Sequence, residues 1–355
     1  MQQKIDDLVE KARTSSGLSE CVLGIETGEG SRAYRFGPGD RPFFIASATK
    51  LYVAALMVRL RERGLVEWDS PFIQYLPRLE TARLHVLREI DYTPRITIRH
   101  LLSHTSGLPD YFEGRRNDGP STFARVLDRD FGWTVPDVID WSRNNQHPAF
   151  VPGERNRALY SDTNYQLLGA IIEHALGLPF AEALEQEITR PLGLGGTWCF
   201  SPASSDRYGD VAAMHEGHRA LHIPLAMASV GADGGVVSTV DDSIRFLRAF
   251  FVGGLVPPPM LQEMQATWRR IFFPLMYGTG VMRFCVPAIL SPFRRFPALI
   301  GHSGASGAFM FWCPQHDLFV AGTVNQIANR SLPFRLMLQA ITAFQLGRQD
   351  GRSAR

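Results

Sequence analysis

The chain is poor in lysine: of its 37 lysines and arginines, only Lys4, Lys11 and Lys50 are lysine. A guanidinium never gives up its proton in a protein and an ammonium can, so a chain written this way keeps lysine where arginine cannot stand in. Cysteine is scarce too. Cys21, Cys199, Cys285 and Cys313 are scattered, which excludes a paired-cysteine zinc or redox motif and reads as four free thiols in a reducing compartment. No sign of charge dominates, with Lys+Arg 37 against Asp+Glu 35 and a formal net charge of +2. No basic run exceeds two residues, and Arg269-Arg270 and Arg294-Arg295 read as solvated surface, so neither nucleic acid nor an anionic membrane is an expected partner. No stretch reaches the roughly 18 apolar residues of a membrane span. The first residues form a charged amphipathic pattern without the apolar core of a signal peptide, which makes the cytoplasm the expected compartment, or the periplasm or exterior if a leader has been removed.

What is present starts at Lys50, three residues after Ser47 in the run Phe-Ile-Ala-Ser-Ala-Thr-Lys-Leu-Tyr-Val. If a helix starts at Ser47, the i, i+3 spacing puts hydroxyl and amine on one face. Leu51 to Leu60 is apolar enough to be a buried helix. Desolvation disfavours the charged form of a lysine, which is how an amine becomes a base near neutral pH. The plainer reading makes Ser47 an N-cap and Lys50 a side chain reaching for solvent, and two further motifs are needed before the pair carries weight. Lys4 and Lys11 lie on the polar N-terminal helix.

At 355 residues and 45% hydrophobic content the chain can bury a large core. Glu20 to Glu26 and Arg32 to Phe36 suggest a hairpin. From 68 to 225 the pattern turns to helices broken by Pro and Gly, including Ile98 to Ser103, Val135 to Asn144 and Tyr165 to Leu176. Residues 231–252 read as a glycine turn, a short strand, a Ser/Thr cap and a helix. Tyr277 to Phe284, Ala308 to Cys313 and Leu318 to Val324 read as strands, closed by a helix over 331–346. The expected fold is α/β (α+β): an antiparallel sheet built from both chain ends and flanked by helices, with an inserted mainly helical domain. The expected domains are 1–67 plus 226–355 and 68–225, with a cleft between them.

Two further motifs follow in order: Tyr160-Ser161-Asp162-Thr163-Asn164-Tyr165, and Gly301-His302-Ser303-Gly304-Ala305 on an expected strand. With Ser47 and Lys50 they resemble the serine β-lactamase and penicillin-recognising DD-peptidase superfamily, in the branch of class C β-lactamases and related esterases and peptidases. Ile96 to Pro109, Pro191-Leu-Gly-Leu194 with Thr197, and Gly234 to Thr239 are similar to further signatures of the family. The resemblance implies a cofactor-free, metal-free serine hydrolase in which Ser47 forms an acyl-enzyme and Lys50 and Tyr160 share the proton work. It implies an oxyanion hole from the backbone N–H groups of Ser47 and Ala305. Asp162, His302, Ser303 and Gly304 are then substrate-binding candidates, with Gly304 leaving room for substrate along the strand.

Two positions depart from the family pattern. His302 stands where β-lactamases of this branch carry a lysine, and a mostly neutral imidazole holds a substrate carboxylate less strongly. Asp162 stands where the family has an amide. It pairs with Lys50 and keeps it charged, binds a cationic substrate group, or merely caps the next helix. The expected reaction is hydrolysis of small to medium carboxylic esters, ahead of DD-peptidase or D-amino-acid amidase action, weak β-lactam turnover, acyl transfer, and a non-catalytic binding role. Ser303 as the nucleophile of an α/β-hydrolase fails on chain order, since only His316 follows it and no acid intervenes. His215, His218 and His222 lack metal-ligand spacing, and His100 and His104 read as packing and loop residues.

Overall fold

The computed structural model describes residues 2–15, 18–286 and 296–350; Arg294 and Arg295 fall outside them. Eight strands make the main sheet: β1 (Val22–Thr27), β2 (Ala33–Phe36), β3 (Arg269–Phe272), β4 (Leu275–Tyr277), β5 (Met282–Phe284), β6 (Leu299–Ser303), β7 (Ala308–Cys313) and β8 (Leu318–Thr323). Their order is β3-β4-β5-β6-β7-β8-β1-β2, antiparallel throughout. The N-terminal hairpin is therefore stitched onto the last strand, with Val22 opposite Thr323 and Thr27 opposite Leu318. The sheet from both chain ends, flanked by helices, is as expected.

Six helices build the core and position the site: α1 (Gln2–Ser15), α2 (Thr49–Glu62), α3 (Asp162–Leu176), α4 (Pro224–Gly234), α5 (Val240–Phe251) and α6 (Leu332–Asp350). The central strands are apolar at nearly every position because both faces are covered, and successive side chains take opposite faces. Phe309, Phe311 and Cys313 of β7 meet Ile5 and Val9 of α1 and Leu336, Ala340 and Phe344 of α6. Met310 of the same strand points the other way, into a core with α2 and α5. The stretch between Trp68 and Leu225 is mainly short helices and loops, including Ile98–Leu102, Thr122–Asp128 and Val135–Asn145. Among the described residues no single helix is long and apolar enough to cross a membrane.

Two expectations are corrected. The run from Tyr277 to Phe284 is not one strand but the ends of β4 and β5, folded back where Gly278 N–H donates to Val281 O and Gly280 takes a φ of +76°. Second, α2 begins at Thr49, and Ser47 lies in the tighter 3₁₀ turn Ala46–Ala48 ahead of it.

Helix α2 is buried all round, with Leu51 through Val58 no more than 1% exposed. An all-apolar helix of this kind lies inside a core rather than on its surface. Leu56→Ala leaves a cavity there and is expected to lower unfolding free energy by about 2–5 kcal/mol in a denaturant titration.

Candidate active site

Ser47 is held from both sides. Upstream, Phe43 and Phe44 pair with Ser238 and Val237, and Ile45 N–H donates to Val236 O at 3.0 Å. Downstream, Thr49 Oγ1 accepts from Val236 N–H at 3.1 Å. The turn after β6 closes on the same segment, where Ser306 Oγ donates to Phe44 O at 2.7 Å. Gly304 packs so tightly that a Cβ would lie 2.2 Å from Ile45 O. Contact between two backbones is therefore enough to require the glycine, which also lines the cleft. Ala46, just before the serine, has a φ of +46°, a conformation that costs a non-glycine residue about 1–3 kcal/mol. This turn leaves Ser47 partly exposed while Lys50 behind it is fully buried.

Lys50 Nζ has three oxygen neighbours: Ser47 Oγ at 3.3 Å, Asp233 O at 2.6 Å and Asp162 Oδ1 at 2.7 Å. Three acceptors match the three N–H bonds of an ammonium. The rings of Tyr160 and Tyr165 flank it, each centroid 5.1 Å away. Asp162 does not cap α3, since Ser161 occupies that position; it is the first helical residue, turned toward the lysine. The positive end of the helix dipole favours a carboxylate there. Asp162 is nonetheless pushed above the usual carboxylate range by burial, against the pull of Lys50.

Asp162 belongs to a group of buried and half-buried acids that sequence reasoning missed. Asp110 accepts the backbone N–H groups of Phe112, Glu113 and Asp162 at 3.1 Å each, yet burial, with the charge of Asp162, pushes it up to about 8. Asp233 accepts from Tyr111 Oη at 2.8 Å and Gln166 Nε2 at 2.9 Å, and burial followed by the charge of Asp162 drives it well above its ordinary value. An acid inside the apolar, glycine-rich run that ends α4 was the available signal for Asp233.

Tyr160 is partly buried and its phenol is pushed well above its ordinary value by burial and then by Asp162, against a hydrogen bond with the Ser47 side chain. His104, read from sequence as a packing residue, clamps it. His104 O accepts from Leu159 N–H at 2.9 Å, its Nδ1 accepts from Ser161 N–H at 3.2 Å, and its ring lies 4.4 Å from that of Tyr160. Both neighbours of the tyrosine and its ring are thus fixed by one side chain and its carbonyl.

His302 is corrected as a substrate contact. It is fully buried, its Nδ1–H donates to Ser303 O at 2.7 Å, and its Nε2 accepts from Tyr277 Oη at 3.1 Å, which bonds Tyr165 Oη at 3.1 Å. Burial, then the charge of Lys50, lowers it to about 3, so it is neutral at pH 7. Ser303, Gly304 and Ala305 do reach the cleft beside Ser47, Tyr160 and Asp162. His316 lies in the β7–β8 turn, at the other end of the sheet from Ser303, which disposes of the α/β-hydrolase reading.

The cleft has a volume of about 850 Å³ and its wall is mostly apolar. Phe112 and Phe123 contribute from the helical stretch, Met227 from α4, Phe272 and Phe284 from the sheet, and Phe334 from α6. Its cations are committed or peripheral: Arg330 pairs with Glu113 at 2.6 Å, and Arg335 is exposed. Among the described residues no group of three or more His, Cys, Asp or Glu side chains is arranged to hold a metal ion.

Because the folded state holds His302 neutral while the unfolded chain protonates it near 6.5, its contribution is complete above that pH and lost as pH falls toward 3. The stability of the wild type relative to His302→Gln, measured in denaturant from pH 6.5 to 4.5, should fall by about 1.4 kcal/mol per pH unit.

Comparison with known proteins agrees with this architecture. The sequence profile of the Beta-lactamase family matches residues 14–343. The D-alanyl-D-alanine-carboxypeptidase/endopeptidase AmpH of Escherichia coli (strain K12) is 30% identical over 77% of this chain and 68% of its own length. Esterase EstB of Burkholderia gladioli is 31% identical over 67% of this chain and 63% of its own. The chain spans between 56% and 68% of the length of these and two Bacillus subtilis relatives. In structure, the D-amino acid amidase of Ochrobactrum anthropi SV3 superposes with a TM-score of 0.77 at 23% identity, over 98% of this chain and 99% of that one. With a profile match over nearly its whole length, and with Lys50 buried against Ser47 and Tyr160 of one cleft, the chain belongs to the Beta-lactamase family.

Proposed function

We propose that this protein is a serine hydrolase that forms an acyl-enzyme on Ser47 and acts mainly as a carboxylesterase. The observation that carries the reading is a partly exposed Ser47, 3.3 Å from a fully buried Lys50, in a cleft whose wall is mostly apolar. Ser47 attacks the acyl carbon, and the ester alcohol leaves before water takes its place. The backbone N–H groups of Ser47 and Ala305 are assigned to the developing oxyanion, one before a helix and one after the β6 strand. Tyr160, kept as a phenol by burial and Asp162, suits donation to the departing oxygen better than proton abstraction. The cleft is assigned to the junction of the sheet unit, 1–67 plus 226–355, with the helical unit, 68–225, because its wall draws on both.

Ester specificity follows from where the charges go. A peptide C-terminus or a β-lactam brings a carboxylate, and Lys50 is already neutralised by Asp162 and Arg330 by Glu113, which leaves the exposed Arg335 at the periphery of the cleft. The neutral, buried His302 offers no substitute. An ester with an apolar acyl group needs none of them, and a cavity of about 850 Å³ admits acyl groups larger than acetyl. Amidase action on D-amino-acid amides is the second reading, favoured by the hydrogen-bond acceptors that Asp110 and Asp162 place in the same wall.

Wild type should hydrolyse p-nitrophenyl butyrate and octanoate while leaving the chromogenic cephalosporin nitrocefin nearly untouched, and Ser47→Ala should lower ester turnover by roughly a thousandfold or more. Ester turnover unchanged in Ser47→Ala would remove the nucleophile assignment. Turnover of D-phenylalanine amide well above that of both esters would favour the second reading.

A further inference from the structure

We propose that Asp162 is the final acceptor of the Ser47 proton, acting through Lys50; this rests on Ser47 being the nucleophile. Lys50 as found cannot be the base unaided. An ammonium that donates to Ser47 Oγ and the Asp233 carbonyl and sits in ion-pair contact with Asp162 has no lone pair to offer. It becomes a base only after giving up a proton. Of its three oxygen neighbours, the Asp233 carbonyl cannot take one, and the Ser47 hydroxyl is the group to be deprotonated. The Asp162 carboxylate, 2.7 Å away, remains.

The steps balance. A proton passes from Nζ to Oδ1 of Asp162, turning an ammonium and a carboxylate into an amine and a carboxylic acid. The amine then takes the proton from Ser47 Oγ as the Oγ–acyl carbon bond forms, and Lys50 is again an ammonium. When the C–O bond to the alcohol breaks, the leaving oxygen takes a proton from Lys50, either directly or through Tyr160, whose phenolate Lys50 reprotonates at once, and Asp162 then returns its own proton to Lys50. Deacylation repeats the sequence with water in place of the serine. No other reactant is needed.

The surroundings favour the exchange. Lys50 is 0% exposed and the Asp162 side chain 9%, and burial disfavours the charged members of a pair. Asp110 and Glu113 from the loop before Phe123, and Asp233 from α4, face Asp162 with like charge or its potential, while Lys50 and Arg330 oppose them and Tyr160 and Tyr111 line the rest. Other candidate bases fall away. Tyr160 holds its proton firmly, His302 Nε2 is occupied by Tyr277, and His104 Nδ1 by Ser161.

The relay and a merely charge-holding carboxylate differ in sign. If Asp162 only pins the lysine as an ammonium, Asp162→Asn frees the amine and speeds Ser47 at mildly acidic pH. If it is the acceptor, the variant must wait for Lys50 to lose its proton to solvent. The test is the rate at which a fluorophosphonate labels Ser47 between pH 5 and 9, which reads nucleophile activation without needing the natural substrate. Asp162→Asn should label about tenfold or more slowly than wild type at pH 6 and regain most of that loss by pH 9. Asp162→Glu, which restores a carboxylate, should keep the wild-type acid limb. Thermal melts check folding, and Asp162→Ser repeats the test if the asparagine variant does not fold. Labelling of Asp162→Asn at or above the wild-type rate at pH 6 overturns the relay and leaves the hydrolase reading standing. Absence of labelling in the wild type, or labelling that survives Ser47→Ala, overturns the nucleophile itself and the relay with it.

Discussion

A lysine ammonium sealed from water is the interaction around which the rest is arranged. Moving such a charge out of water costs several kcal/mol even after the protein relaxes, so every direction around Nζ has to be answered. The answers come from three distant stretches: the Ser47 turn, the first residue of α3, and the last turn of α4. The strands that pin the Ser47 turn, the helix start that delivers Asp162 and the carbonyl of Asp233 are therefore one unit energetically, although more than 180 residues separate Lys50 from Asp233.

The buried carboxylates follow from the same constraint. One anion would neutralise Lys50, but Asp110 and Asp233 are also present, each stabilised by dipoles: backbone N–H groups for the first, a phenol and an amide for the second. Such a group has firmly held protons and one buried cation in common, and its members titrate together. Outside it the cleft wall is mostly apolar, with Arg330 paired to Glu113 and Arg335 exposed at its periphery, so a polar cluster sits against an apolar cavity.

Much of this was legible in the chain. Apolar runs at Leu51 to Leu60 and in β7 and β8 announced buried elements, and the Thr239 cap with Asp241 and Asp242 behind it announced α5. Ser47 and Lys50 were legible as a pair because their spacing is local, whereas Tyr160, far along the chain, was singled out only through the family resemblance. The Tyr277 to Phe284 stretch misled because its apolar content is continuous through a turn carried by Gly278 and Gly280. His302 misled for a different reason: its residue type indicated neutrality correctly, but nothing in the sequence says which way a strand residue points or that Tyr277 caps its ring.

The sequence by itself determined the Ser47–Lys50 spacing, the sheet drawn from both ends and the departure at Asp162, because each is written in contiguous residues whose period or spacing has a direct geometric meaning. Only the tertiary structure decided that Asp162 faces Lys50 rather than capping its helix, that Asp110 and Asp233 share its surroundings, that His104 clamps Tyr160, and that Gly304 packs against the backbone of Ile45. Those are contacts between segments far apart in the chain. A desolvated charge or a crowded backbone has no signature in its own neighbours; it exists only once folding has removed the water and brought the partners within a few ångströms.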